Sequence, residues 1–356
     1  MKSVTALEQS LLSLCEISSF TGEEGPLCDH VEAALVKLLG RAVVARDGHS
    51  LVVTPACTQG PEVVLAGHFD VVRTTHEGPP RIEGDKIYGP GAADMKSGLA
   101  VMLELLREIA AGATPSVRPT FVFYEREEGP YAENRLGDLL DRFDSLRRAE
   151  LAVCLEPSSN VLQLGCMGSL HGRVIFHGRT SHSARPWQGE NAIHKSSGFL
   201  TRISALEPRD YHIEGLLYRE VFSATMAQGG RGRNVVPDAF ELNVNVRFAP
   251  GRTSEDAERD LRGLIGDDAE LVVTDRSPSA MPARSHPLVE TLANFAVAGL
   301  EPKQAWTDVA RFALHGVAAV NLGPGTQSQA HQRDEWTDRA ALAQGLSLFR
   351  AWMGLG

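Results

Sequence analysis

The sequence predicts an α/β domain, a mixed sheet flanked by helices, into which a smaller α+β ferredoxin-like domain is inserted. Three observations predict it. Short apolar runs alternate with helix-period patterns up to about residue 168, a different rhythm occupies the middle of the chain, and the first rhythm returns after about residue 280. The expected boundaries are 1–169 with 280–356 for the larger domain and 170–279 for the insert.

Each element has its own warrant. Leu11, Leu12, Ser13, Leu14 and Cys15 lie between Glu8 and Glu16, so this short apolar stretch reads as the buried face of a first helix, not as an export signal. Residues 63–66, 120–124 and 151–155 are apolar runs of strand length, and Leu99, Met102, Leu103, Leu106 and Ile109 recur at helical spacing. In the insert, 173–177 reads as a strand, 191–206 as a helix with Ile193, Leu200 and Ile203 on one side, and 221–227 as a strand. Residues 240–248 alternate, with Phe240, Leu242, Val244, Val246 and Phe248 on one face and Glu241, Asn243, Asn245 and Arg247 on the other. Thr253 and Asp256 then resemble a capping box opening a helix that ends near Gly266, and 270–274 closes a β-α-β-β-α-β order. A helix over 288–298 and a strand over 317–322 follow.

Composition narrows the function classes. The 356 residues, 43% of them apolar and 22% charged, can bury a large core, and the length suits two domains. Lys and Arg number 35 against 45 Asp and Glu, a formal charge of -10, and the bases are scattered, so no nucleic-acid partner is expected. Five dispersed cysteines (15, 28, 57, 154 and 166) form no C-x-x-C pair, which fits a reducing compartment. No run approaches the roughly 20 apolar residues of a membrane span. A cytoplasmic protein without a membrane partner is the expectation.

The chemistry concentrates after strands, where open α/β sheets gather their ligands. His68 closes 63–68, and Asp70 stands two residues on, able to fix the imidazole tautomer. Asp94 follows the turn 89–93 at the start of a helix, as an N-cap or as a ligand. Glu127 and Glu128 follow strand 120–124; adjacent carboxylates repel unless solvated or bridged by a cation. Glu156 follows 151–155, and His331 lies in 330–335 after the last strand. Together these donors suffice for two metal ions sharing one carboxylate. Imidazole and carboxylate without thiolate suit a hydrolytic zinc, cobalt or manganese pair about 3.5–4 Å apart, with a spare acid as general base.

The segments GHFDVV, GPGAADMKSG, the Glu127-Glu128 pair, CLEPS and AHQRDE resemble, in order and spacing, the dinuclear-zinc aminoacylase and carboxypeptidase superfamily, peptidase family M20. The likeness runs through the insert, in TSHSARPWQGENAIHK, GGRGRNVVPD, WTDVARF and NLGPG. It implies a catalytic domain interrupted by a dimerisation and lid domain, and a homodimer. It implies two zinc ions, with cobalt or manganese an alternative at one site. Asp94 would bridge them, His68 and Glu156 would complete one site, and Glu128 and His331 the other. Asp70 would orient His68, Glu127 would act as base and then acid, and His182 would be a partner-supplied donor to the substrate oxyanion. Asn234 would be a second polar contact from the partner, and Arg247 and Arg311 would contact substrate carboxylates.

The branch it most resembles acts on N-succinyl-LL-2,6-diaminopimelate, a small N-acyl amino acid. Cys166 and Met167 stand where other enzymes of this activity carry a basic substrate contact, although the branch most similar to this chain tends to have a similar Gly-Cys pair. Within the same chemistry, N-acetylornithine, another N-acyl amino acid or a dipeptide are the alternative substrates. A non-catalytic metal or amino-acid-derivative binding protein is the alternative of another class, and the retention of the base and all five ligands argues against it.

Overall fold

The computed structural model describes residues 4–296 and 298–355, which divide into two units. The larger comprises 1–165, 282–301 and 311–356; the smaller comprises 166–281 and 302–310. No helix among the described residues is long and apolar enough to cross a membrane, and all five cysteines are free thiols, four of them buried.

The larger unit is built on an eight-stranded sheet whose order is Val44–Asp47, Ser50–Val53, Arg118–Tyr124, Glu62–His68, Leu151–Cys154, Ala318–Asn321, Leu162–Leu164 and Leu300–Pro302. Its centre is parallel: Glu62–His68 pairs with Arg118–Tyr124 on one side and Leu151–Cys154 on the other, and the latter pairs with Ala318–Asn321. These central strands are buried on both faces, so they read as continuous apolar runs without alternation. Helix Ala6–Glu16 buries Leu7, Leu11, Leu14 and Cys15, as its sequence predicts. Helix Lys96–Ala110 buries nearly all of its first three turns. Lys96, itself fully buried, donates from Nζ to the carbonyls of Leu14 and Ile17, both at 3.0 Å, tying the start of this helix to the end of Ala6–Glu16. A small three-stranded sheet, Trp336–Asp338, Lys86–Tyr88 and Arg81–Glu83, pairs Trp336 with Tyr88.

The smaller unit is a five-stranded antiparallel sheet in the order Arg209–Ile213, Leu216–Gly229, Ala239–Phe248, Gly168–His177 and Glu270–Ser277. Helices Ser197–Ser204 and Ser254–Ile265 contribute Phe199, Ile203, Ala257, Leu261 and Ile265 to one core with Leu170, Val174, Phe176, Leu242, Val244, Val246 and Phe248. The capping box at Thr253 and Asp256 forms as predicted.

Three elements differ from the sequence expectation. Strand Arg209–Ile213 is additional; only Tyr211 and Ile213 are half-buried, so it carries no clear alternating signal. The helix expected over 191–206 is two, Ala192–Lys195 and Ser197–Ser204. The helix expected over 288–298 spans only Pro287–Ala293; residue 297 lies outside the described residues.

Candidate metal centre

The parallel strands end on one edge of the sheet, and the loops leaving them carry the candidate donors. His68 is the last residue of Glu62–His68, Glu127 and Glu128 follow Arg118–Tyr124, Glu156 follows Leu151–Cys154, and His331 lies beyond Ala318–Asn321. Asp94 comes from the glycine-rich turn that enters helix Lys96–Ala110.

These side chains converge. His68 Nε2 stands 3.5 Å from Asp94 Oδ1 and 4.0 Å from both Glu127 Oε2 and Glu156 Oε1. His331 Nε2 is 3.0 Å from Glu128 Oε1 and 3.5 Å from Asp94 Oδ2. Asp94 thus faces both histidines, one through each oxygen. His68 Nε2 and Asp94 Oδ1 are buried without a hydrogen-bond partner among the described residues, a costly state for polar atoms that an ion between them would relieve. His68, Asp94 and Glu128 each offer a ligand atom within 4.8 Å of the others.

Asp70 organises this edge from beneath. Its carboxylate accepts the backbone N–H of Glu127 and of Glu128, each at 3.0 Å, and the Thr21 hydroxyl at 3.0 Å. It also stands 3.5 Å from His68 Nδ1, a nitrogen 2.9 Å from the Asp70 carbonyl. One buried acid therefore aims both the imidazole and the paired-glutamate loop.

The electrostatics are those of a cation site. Burial pushes the His68 pKa down, but Asp70 and Asp94 outweigh it and hold the imidazole well above its ordinary value. His331 is raised to about 9, first by its hydrogen bond to Glu128. Burial and the neighbouring Asp94 raise Glu128 in spite of His331.

Glu335 is the functional residue that sequence reasoning missed. One of its oxygens accepts the N–H groups of Ala93 and Asp94, both at 2.8 Å, and the other accepts that of Gly91 at 2.9 Å. Pairing of Trp336 with Tyr88 puts residue 335 beside the turn that begins at Gly89. The turn needs Gly91, whose φ is 75°, and it needs Gly325, where a Cβ would lie 2.0 Å from the Ala93 carbonyl oxygen. Burial, with Asp94 adding to it, raises the Glu335 pKa to about 7 against the pull of those N–H groups. The only sequence signal was an acid placed four residues after His331.

The remaining candidates fall elsewhere. Arg311, in the larger unit, is buried with its guanidinium 3.8 Å over the Tyr131 ring and hydrogen-bonded to the Tyr131 carbonyl. His182 and Asn234 are brought together in the smaller unit: His182 bridges Val235, and Ser183 N–H donates to the Asn234 carbonyl at 2.9 Å. Both are exposed, and His182 Nδ1 accepts the Ala184 N–H at 3.0 Å. Arg247 lies half-buried on the polar face of the smaller sheet.

The sequence profile of Peptidase family M20/M25/M40 matches residues 64–354. Succinyl-diaminopimelate desuccinylase of Corynebacterium glutamicum is 36% identical over 330 residues, 90% of this chain and 89% of that protein. The M20 family metallo-carboxypeptidase Sso-CP2 of Sulfolobus solfataricus has the same fold, with a TM-score of 0.81 at 14% identity over 99% of both chains. So does Bacillus subtilis YXEP, a dinuclear metal binding peptidase from the M20 family, with a TM-score of 0.69 at 13% identity over 98% of this chain and 96% of that one.

Proposed function

The chain belongs to Peptidase family M20/M25/M40 and is a hydrolase; on that premise we propose that it is a two-metal amide hydrolase converting N-succinyl-LL-2,6-diaminopimelate and water to succinate and LL-2,6-diaminopimelate. The observation that carries the chemistry is the convergence of His68, Glu127, Glu128, Glu156 and His331 around a buried Asp94. The substrate rests on the relative that is 36% identical over 90% of this chain.

In this reading Asp94 would be shared between the metals, His68 and Glu156 would hold one, and Glu128 and His331 would hold the other. Zinc is proposed at both positions, with cobalt or manganese as an alternative at one. Bound metal supplies Lewis-acid polarisation of the scissile carbonyl and lowers the pKa of the attacking water. Glu127 takes a proton from the water whose oxygen adds to the amide carbon, and delivers it to the amine nitrogen as the C–N bond breaks. His182 donates to the oxyanion, Asn234 is a second polar contact supplied across the dimer, and Arg247 and Arg311 take carboxylates.

A homodimer is part of the proposal, with His182 serving the partner's site. Strand Leu216–Gly229 pairs with Arg209–Ile213 only through residue 220, so from residue 221 onward one edge has no partner strand among the described residues. Its outer half is exposed, with Met226 at 71%. An open edge of this kind is a template for pairing with a second copy.

One observation favours a different acyl amino acid as substrate, N-acetylornithine or a dipeptide among them. Cys166 and Met167 are fully buried and offer no charge to a succinyl carboxylate. The test of the shared chemistry is Glu127→Gln: turnover should fall about 100- to 10,000-fold while metal content is retained. Substantial residual turnover would remove Glu127 from its role.

A further inference from the structure

The smaller sheet covers one face with its helices and leaves the other polar. Pairing sets His171 directly opposite Asn245, and Ser169 opposite Arg247, on neighbouring strands. All four point away from the core side occupied by Leu170, Val174, Val244 and Val246.

Hydrogen bonds through Asn245 link all four with only one consistent polarity. Arg247 Nε lies 3.0 Å from Asn245 Oδ1. A guanidinium can only donate, so the amide oxygen must face it and the amide nitrogen must face the other way. That nitrogen lies 2.9 Å from His171 Nε2 and 3.1 Å from Ser169 Oγ. An amide N–H likewise only donates, so His171 Nε2 is bare and accepts. With Nε2 bare, the ring proton sits on Nδ1, and the Asn243 amide beside it donates from Nδ2 to Thr225 Oγ1 at 2.6 Å.

Among the described residues Asn245 is the one hydrogen-bond partner of Arg247, and Asp275 favours its charge only from beyond ion-pair distance. Its two terminal nitrogens are therefore available to an anion, and its Nε is already used to fix the plane of the fork.

We propose that His171 is a positioning residue: by accepting from Asn245 it turns the amide oxygen onto Arg247 Nε, so that the terminal nitrogens of Arg247 present a fixed fork to a substrate carboxylate. The inference rests on the reading of Arg247 as a carboxylate contact. It adds that the selectivity for an anionic substrate depends on a histidine that never touches it.

The experiment uses metal-loaded enzyme, the KM and kcat for N-succinyl-LL-2,6-diaminopimelate, and the inhibition constant of succinate. His171→Ala should raise KM and the succinate constant about 3- to 10-fold, the scale of one lost hydrogen bond, with kcat and melting temperature little changed. His171→Gln, whose side-chain oxygen can accept from Asn245, should restore both constants. A His171→Ala enzyme with unaltered KM and succinate constant, or a His171→Gln enzyme as impaired as His171→Ala, would overturn the proposal. Arg247→Ala separates the two levels. If it raises KM while His171→Ala does not, only the positioning role fails; if it leaves KM unchanged, the reading of Arg247 fails and the positioning role with it.

Discussion

Replacing Glu335 by glutamine removes one of the two acceptors that hold the turn carrying Asp94. The carboxylate serves three backbone N–H groups, two through one oxygen and one through the other. An amide has a single oxygen. In its better orientation that oxygen keeps Ala93 and Asp94, and the amide nitrogen faces the Gly91 N–H across a distance that is 2.9 Å in the native chain. A buried donor left unsatisfied costs about 1–3 kcal/mol, and the two surviving bonds fall from the charge-assisted scale of about 1.5–3 kcal/mol toward the neutral one of about 0.5–1.5 kcal/mol. The turn relaxes and Asp94 loses its fixed aim toward His68 and His331. Groups that orient a metal ligand are worth about 10- to 100-fold in metal affinity. The assay is competition for zinc against a chelator of known affinity, alongside a thermal melt of the metal-free protein. Glu335→Gln should weaken zinc binding by that factor and lower the melting temperature. Native zinc affinity in the variant would refute the claim that Glu335 fixes Asp94.

Other consequences follow from the same geometry. Asp70→Asn leaves the Glu127 and Glu128 N–H groups competing for one oxygen and should also weaken zinc binding about 10- to 100-fold, read by the same competition. The His331 pKa is raised from 6.5 to about 9, so its pairing with Glu128 stabilises the metal-free chain fully below about pH 6.5 and is lost as pH rises through about 9. A metal needs the bare nitrogen, so zinc affinity should climb across that window with proton release on binding, and calorimetry in buffers of different ionisation enthalpy would detect it; binding without proton release near neutral pH would contradict the pairing. Phe176→Ala, at a fully buried ring tilted against those of Phe199 and Phe240, should destabilise the smaller unit by about 3–5 kcal/mol, seen in denaturant unfolding, with zinc content unchanged. Mixing His182→Ala subunits with His331→Ala subunits should regain activity if sites are shared; inactivity in verified heterodimers would count against a partner-supplied histidine.

Most of the candidate donors were legible because they follow strands whose apolar runs are unmistakable, and parallel strands deliver their ends to one edge, while Asp94 was read from the glycine-rich turn before a helix. Residues 63–68, 120–124 and 151–155 needed no tertiary information to be read as buried strands. Glu335 was not legible, because its partners are backbone N–H groups of a turn some 240 residues earlier, met only once Trp336 pairs with Tyr88. The His171–Asn245 pair was hidden for a similar reason. Alternation over 240–248 gives the polar face of one strand, while the residue opposite each member is set by register with another. Strand Arg209–Ile213 escaped because an edge strand with two half-buried side chains carries almost no pattern. The division of 191–206 into two helices falls at Ser196, fully buried with its hydroxyl donating to the Ile193 carbonyl, a local side-chain-to-backbone bond that helical periodicity does not reveal.

The most direct test of the proposed activity is amine release from N-succinyl-LL-2,6-diaminopimelate and from N-acetylornithine by zinc-loaded protein, with a chelator-treated sample as blank. Chelator-sensitive release that favours the succinyl compound is the expected result. Preference for N-acetylornithine would contradict the substrate, and no release from either compound with both metals bound would contradict amide hydrolysis itself.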